Sequence, residues 1–147
     1  MALSRNEWKR MMKKMPMLVV DGIVVENNRV LLVERKTTPF LGHNVLPGGF
    51  VDYRETLEKA VVREVKEETG LRTKAVKFVG FYDNPKRDPR GHTVSAAFLL
   101  KITGGKIRGS SETKNVAFHN LNELPAKMGF DHKRMVKDAL RILRKRK

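Results

Sequence analysis

Gly49–Leu71 reads GFVDYRETLEKAVVREVKEETGL. Leu57, Val61 and Val65 stand at i, i+4 and i+8 with Val62 beside them, the period of a helix with one apolar face. Residues 56–69 are expected to be helical, and Gly70 is placed to end that helix as a left-handed cap. Glu64, Glu67 and Glu68 then fall at i, i+3 and i+4, so the helix gathers three carboxylates on one face. Like charges at this spacing repel, by roughly a few tenths of a kcal/mol per pair. Glu67 and Glu68 also lie near the C-terminal end, where the helix dipole disfavours anions. A cluster set against both effects calls for a cation. Hard oxygen donors without sulfur suit Mg2+ or Mn2+ rather than zinc. On the triplet alone, a solvated acidic face explains the pattern equally well.

Working outward, Met17–Val25 and Arg29–Arg35 are rich in Val, Ile and Leu around Glu26-Asn27-Asn28 and read as a β-hairpin. A short strand near Val45-Leu46 is broken by Pro47-Gly48-Gly49. Ala75–Tyr82, Thr93–Ile102 and Val116–His119 read as further strands. Asp131–Arg144 reads as a last helix, with Met135, Val136, Ala139, Leu140 and Leu143 on its buried face and Asp131 as its cap. Ser4 and Glu7 have the spacing of a capping box ahead of a short helix that carries Trp8, Met11, Met12 and Met15 on one stripe. That stripe is expected to pack on the domain or on a second subunit, which leaves a homodimer open; a membrane-surface or nucleic-acid face is the less favoured alternative. Strands and helices interleave, so the class is α/β with a mixed sheet.

The chain has 147 residues, enough for one domain with its own core. We divide it into a basic N-terminal extension, residues 1–15, and a domain over residues 16–147 that ends in a basic helix. There is no cysteine, which excludes disulfides, thiol nucleophiles and thiolate metal sites. The apolar run Met17–Val25 is broken by Asp21 and is too short to span a bilayer, so no membrane role is expected and the expected place is the cytoplasm. Net charge is +15, from 31 basic and 16 acidic residues, and it is concentrated at both ends. Such ends attract polyanions, but charge alone also serves solubility. Nucleic-acid binding is open and not favoured, since there is no aromatic ladder and no nucleic-acid module.

The segment matches the Nudix hydrolase signature at every specified position, through Gly49, Glu55, Arg63, Glu64, Val65, Glu67, Glu68, Gly70 and Leu71. Its flanks resemble that family as well, so the resemblance covers most of residues 16–143. It implies a Nudix-type α/β/α sandwich with a mixed sheet between helices. It also implies a loop–helix–loop that holds metal against a diphosphate. Glu64 and Glu68 are the implied main ligands, Glu67 supports them, and the backbone carbonyl of Gly48 is a further ligand. Gly49 lets the main chain approach the substrate closely. Arg63 is expected to face away from the metal and pair with Glu55. The implied reaction is hydrolysis of a nucleoside diphosphate linked to another moiety.

Asp83–His92 resembles a loop of the ADP-ribose pyrophosphatases in the same family, with Arg87 and Arg90 placed to grip phosphate or ribose. A Pro-rich turn with internal ion pairs is the plainer reading of that run. Glu112, the one acidic residue between Asp88 and Glu123, falls where the subgroup carries an acid and is a candidate general base. It reads equally as an exposed loop carboxylate. The histidines have no metal-ligand spacing and are taken as structural. The leading expectation is hydrolysis of ADP-ribose to AMP and ribose 5-phosphate. The alternatives are a nucleotide-sanitising triphosphate pyrophosphatase, an RNA-associated protein that uses the basic ends, or a ligand sensor without activity. The intact run of Arg63, Glu64, Glu67 and Glu68 argues against the last.

Overall fold

The computed structural model describes residues 2–146; Met1 and Lys147, at the outer ends of the two expected segments, lie outside the described residues. The elements run α1 (Arg5–Met12), β1 (Met17–Glu26), β2 (Arg29–Arg35), β3 (Asn44–Val45), β4 (Gly48–Phe50), α2 (Leu57–Thr69), β5 (Leu71–Tyr82), β6 (Thr93–Gly105), β7 (Thr113–Asn120) and α3 (His132–Lys145). The sheet has seven strands in the order β3-β2-β1-β6-β5, with β4 added to β1 and β7 to β2. β1 and β6 are parallel and the other pairings antiparallel, so the sheet is mixed.

The central strands are buried on both faces, which is why they read as continuous apolar runs rather than as alternations. Alternate residues still sort to opposite sides. Val20 and Val24 of β1, Leu31 of β2, and Ala96, Phe98 and Leu100 of β6 pack with Val61 and Val65 of α2. Ile23, Val30, Leu32, Ala97 and Leu99 pack instead with Met135, Val136 and Ala139 of α3. The result is the α/β/α sandwich expected from the sequence. Val61 and Val65 are fully buried, and each contributes about 1.5–3 kcal/mol of transfer free energy. Gly22 lets α2 lie this close to β1, since a Cβ there would stand 2.7 Å from Val65 Cγ2 and 2.8 Å from Leu100 Cδ1.

Element ends differ from the sequence reading in ways the sheet explains. β5 starts at Leu71, directly after the Gly70 cap, because Leu71 and Arg72 already pair with Gly105 and Gly104. The break at Pro47-Gly48-Gly49 is followed at once by β4, which pairs Gly48, Gly49 and Phe50 with Asp21, Val20 and Val19. Asn27 and Asn28 both take positive φ, 51° and 59°, and close the expected hairpin. Among the described residues, no helix is long and apolar enough to cross a membrane.

Candidate active site

α2 is fixed at both ends. Thr56 Oγ1 accepts from Lys59 N at 3.2 Å, and Gly70 takes φ 79°. Its apolar face is buried against the sheet, and the stripe along the edge of that face, Glu64, Glu67 and Glu68, turns toward a cavity of about 420 Å³. β4 forms the adjoining wall. Gly48 N–H donates to Glu68 Oε2 at 3.3 Å. Gly49 lies so close that a Cβ would stand 2.5–2.6 Å from the Glu64 carboxylate, a gap that only a bare backbone leaves open.

Arg63 pairs with Glu55 as expected, Nε to Oε2 at 2.7 Å and Nη2 to Oε1 at 2.9 Å, and Nη2 also donates to Phe50 O at 3.1 Å. It does not face away from the acidic stripe. Nη1 reaches Glu64 Oε1 at 2.8 Å and Glu67 Oε2 at 3.2 Å, because one guanidinium is wide enough to serve Glu55 on one edge and the helix glutamates on the other. Among the described residues, no three acidic or histidine side chains converge as a ready-made ligand set.

The electrostatics show what this wall lacks. Burial pushes Glu68 well above the usual carboxylate range, and the charge of Glu64 pushes it further. Burial likewise raises Glu64 to about 7, although Arg63 pulls the other way. Glu55 behaves oppositely: its hydrogen bonds from Arg63 hold it below the usual value. Oxygen donors that are buried beside one another and short of positive charge fit a hard divalent cation.

Glu112 also lines the cavity, in the loop before β7. That loop is tied to the end of β2 by Lys36 N–H donating to Glu112 O at 3.2 Å. The structure thus brings Glu112 to the same cavity as the helix glutamates, across more than forty residues of chain.

Arg87 and Arg90 both line the cavity but differ in kind. Arg87 is buried and occupied: Nη2 and Nε donate to Asp131 at 2.8 and 3.0 Å, and Nη1 donates to Thr93 Oγ1 at 2.6 Å. Asp131 therefore makes no side-chain cap for α3, contrary to the sequence reading; its carboxylate is drawn to Arg87 instead. Arg90 is part-exposed, braced by Asp88 at 2.8 Å, with Cζ 5.4 Å from the Phe50 ring centre.

Two contributors, Arg35 and Asp21, escaped the sequence reading, while His132, taken as structural, holds Asp21 in place. Arg35, at the end of β2, lines the cavity and donates through Nε to Pro39 O at 2.6 Å; among the described residues no carboxylate lies within ion-pair distance of it. Burial lowers its pKa and repulsion from Arg90 lowers it further, against the more distant attraction of Glu68, Asp88 and Glu112. Asp21 is buried beneath the site and accepts from Ser95 Oγ at 2.5 Å. His132 Nδ1 accepts from Leu46 N–H at 2.9 Å, so Nε2 carries the proton and faces Asp21 Oδ1 at 3.2 Å. Burial raises the pKa of Asp21, but His132, Ser95 and Arg87 more than offset it and the net shift is downward. The signal for Asp21 was present, since a carboxylate inside an apolar strand needs buried partners. Arg35 gave none, because an arginine at a strand end is ordinary.

A profile of the NUDIX domain matches residues 15–139. The chain is 48% identical over 126 residues to an ADP-ribose pyrophosphatase of Methanocaldococcus jannaschii, which covers 86% of this chain and 74% of the relative. Its fold superposes on the NUDIX domain of Shewanella oneidensis NrtR, crystallised with ADP-ribose, at a TM-score of 0.77 and 26% identity, covering 96% of this chain and 99% of that one. It is also similar to a bifunctional NMN adenylyltransferase/ADP-ribose pyrophosphatase of Francisella tularensis complexed with AMP and a manganese ion. That match has a TM-score of 0.72 and 26% identity, over 97% of this chain and 45% of that one.

Proposed function

The chain belongs to the Nudix hydrolase family, and from that premise we propose that it cleaves ADP-ribose, with a divalent cation, to AMP and ribose 5-phosphate. One observation carries the reading. A single cavity sets the carboxylates of Glu64, Glu67 and Glu68 against Arg35, a guanidinium without a carboxylate of its own. A metal-bound diphosphate with a further polar moiety satisfies both walls. The ADP-ribose bound by one structural neighbour and the manganese in another support it.

Glu64 and Glu68 are the metal ligands in this reading, with Glu67 in support and the Gly48 backbone beside them. Mg2+ or Mn2+ fits the all-oxygen donor set. When bound, such an ion neutralises phosphate charge and acidifies water. Arg63 keeps its two bonds to Glu55 while Nη1 gives up Glu64 and Glu67. Gly49 leaves room for substrate against Glu64. Glu112 accepts the proton of the attacking water, and the diphosphate opens so that each product keeps one phosphate. Arg35 and Arg90 hold the anionic half. Arg87 orders the site through Asp131 and Thr93 rather than by gripping substrate.

The test is product analysis with ADP-ribose and with a nucleoside triphosphate, each with Mg2+ and with Mn2+. AMP and ribose 5-phosphate are expected from ADP-ribose. Release of pyrophosphate from the triphosphate at a higher kcat/KM overturns the assignment in favour of the sanitising type.

A further inference from the structure

α1 lies before the matched residues 15–139, yet it touches the rim of the cavity at two points. Its start is fixed by a complete capping box, with Ser4 N donating to Glu7 Oε2 at 2.7 Å and Glu7 N to Ser4 Oγ at 3.3 Å. Trp8 then meets Phe50, ring centres 4.6 Å apart and planes 44° apart. At the other end, Met12 is buried, and a Cβ on Gly91 would stand 2.5 Å from Met12 O. α1 thus presses on Phe50 and on the residue after Arg90, and Arg90 itself lies over Phe50.

The cavity offers two phenyl surfaces, Phe50 and Phe130. Phe130 carries three guanidiniums, Arg35, Arg87 and Arg90 at 5.6, 5.8 and 5.9 Å from its centre, with Phe40 at 4.6 Å, whereas Phe50 carries one, Arg90, besides Trp8. That end suits anionic oxygen. Phe50 follows Gly48 and Gly49, which back the glutamates, so it adjoins the place where the diphosphate lies. A planar base needs an aromatic face beside a diphosphate, and an arginine over the same ring adds stacking and charge. We propose that Phe50 is the surface for the substrate's nucleobase and that Trp8 of α1 is a positioning residue that holds Phe50 there. The inference rests on the proposed function for the identity of the substrate.

Trp8 is the sole tryptophan of the chain, so its emission reports on this contact alone. The 147-residue chain is titrated without metal with AMP, then with ribose 5-phosphate. AMP should change Trp8 emission saturably and ribose 5-phosphate should not. An emission unmoved by AMP, or moved equally by both, overturns the proposal. With ADP-ribose and metal, Trp8→Ala should raise KM about three- to tenfold, the span of one aromatic contact, with kcat little changed. Trp8→Phe should recover most of that loss. A fall in kcat at unchanged KM counts against the assignment. If ADP-ribose is not hydrolysed at all, the proposed substrate fails, while the AMP titration still decides the base surface.

Discussion

The two walls of the cavity hold charge in opposite ways. The acidic wall comes from β4, α2 and the loop between them, and a single guanidinium, Arg63, serves four carboxylates, Asp52, Glu55, Glu64 and Glu67. The basic wall draws Arg35 from β2 and Arg87 and Arg90 from the loop between β5 and β6, yet two of these three bring their own acid: Asp131 for Arg87 and Asp88 for Arg90. Burial therefore raises Glu64 and Glu68. On the other wall burial raises Asp88, but Arg90 overcomes it and the net shift is downward. In the proposed function, the wall left short of countercharge is the one that would receive an ion from outside. Within the other wall, the same test separates Arg35, which lines the cavity without an ion pair and would face an incoming anion, from Arg87, which is paired with Asp131.

Arg87→Ala breaks the comparison most severely. It strands Asp131 and takes a charge from beside the buried Asp21. Removing one partner of a buried pair costs about 3–5 kcal/mol. Urea unfolding should show a loss of that size; unchanged stability would return Arg87 to the role of substrate ligand expected from the sequence.

Next comes Glu68→Gln, which keeps shape and helix propensity. Activity should fall by at least about a hundredfold with the fold intact, the scale of a disrupted metal site. Near-normal turnover removes Glu68 from the metal site.

Arg35→Ala sharpens the contrast within the basic wall. A charged hydrogen bond is worth roughly 1.5–3 kcal/mol, or about ten- to a hundredfold in kcat/KM. The loss should appear mainly in KM, at a melting temperature close to that of the parent. Loss of stability in place of affinity would make Arg35 another Arg87.

A smaller effect concerns pH and the metal-free protein. Carboxyls whose folded pKa lies above the unfolded value bind more protons folded than unfolded, so their contribution falls as pH rises. For Glu64 the window runs from its ordinary value near 4.5 to about 7. The metal-free melting temperature should decline by a few degrees across it, and Glu64→Gln should flatten the slope. A rise over the same window, absent in Glu64→Gln, would contradict the shortage of countercharge on this wall. The lowered acids Asp21 and Asp88 act at the other end, losing their contribution only below the ordinary carboxylate range.

The acidic wall was legible because Gly49, Glu55, Arg63, Glu64, Glu67 and Glu68 lie in one stretch, where helical period turns spacing into geometry. The sandwich was legible for the same reason, through the apolar periods of α2 and α3. The basic wall was legible only in part: Arg87 and Arg90 were named from the sequence and line the cavity, but their partners and the place of Arg35 were not. Arg35, Asp21, Arg87, Asp131 and His132 meet only when β1, β2 and α3 have packed, and nothing local tells a buried strut from a ligand. Asp131 shows the difficulty: at a helix start an aspartate reads as a cap, and a distant arginine took it. Trp8 likewise read as part of a stripe, without the partner it meets at Phe50.

The smallest effect expected is that of the basic ends. α1 is amphipathic in function as well as in form: Trp8 and Met12 turn inward, while Lys9, Arg10, Lys13 and Lys14 are exposed. Exposed charges act over a Debye length of ~8 Å at physiological salt, and surface charges contribute little to stability. Lys13→Gln with Lys14→Gln removes charge and keeps the helix and its apolar contacts. Combined with deletion of residues 145–147, it should leave kcat/KM for ADP-ribose within about twofold at physiological salt, since screening has already removed most of the attraction. Lowering the salt lengthens that reach, so the parent should gain on the variant there and converge with it again as salt is restored. A tenfold or larger loss that persists in physiological salt would mean that an end lies over the cavity, or over that of a second copy. The charges of α1, and not only the contact of Trp8 with Phe50, would then act on the cavity.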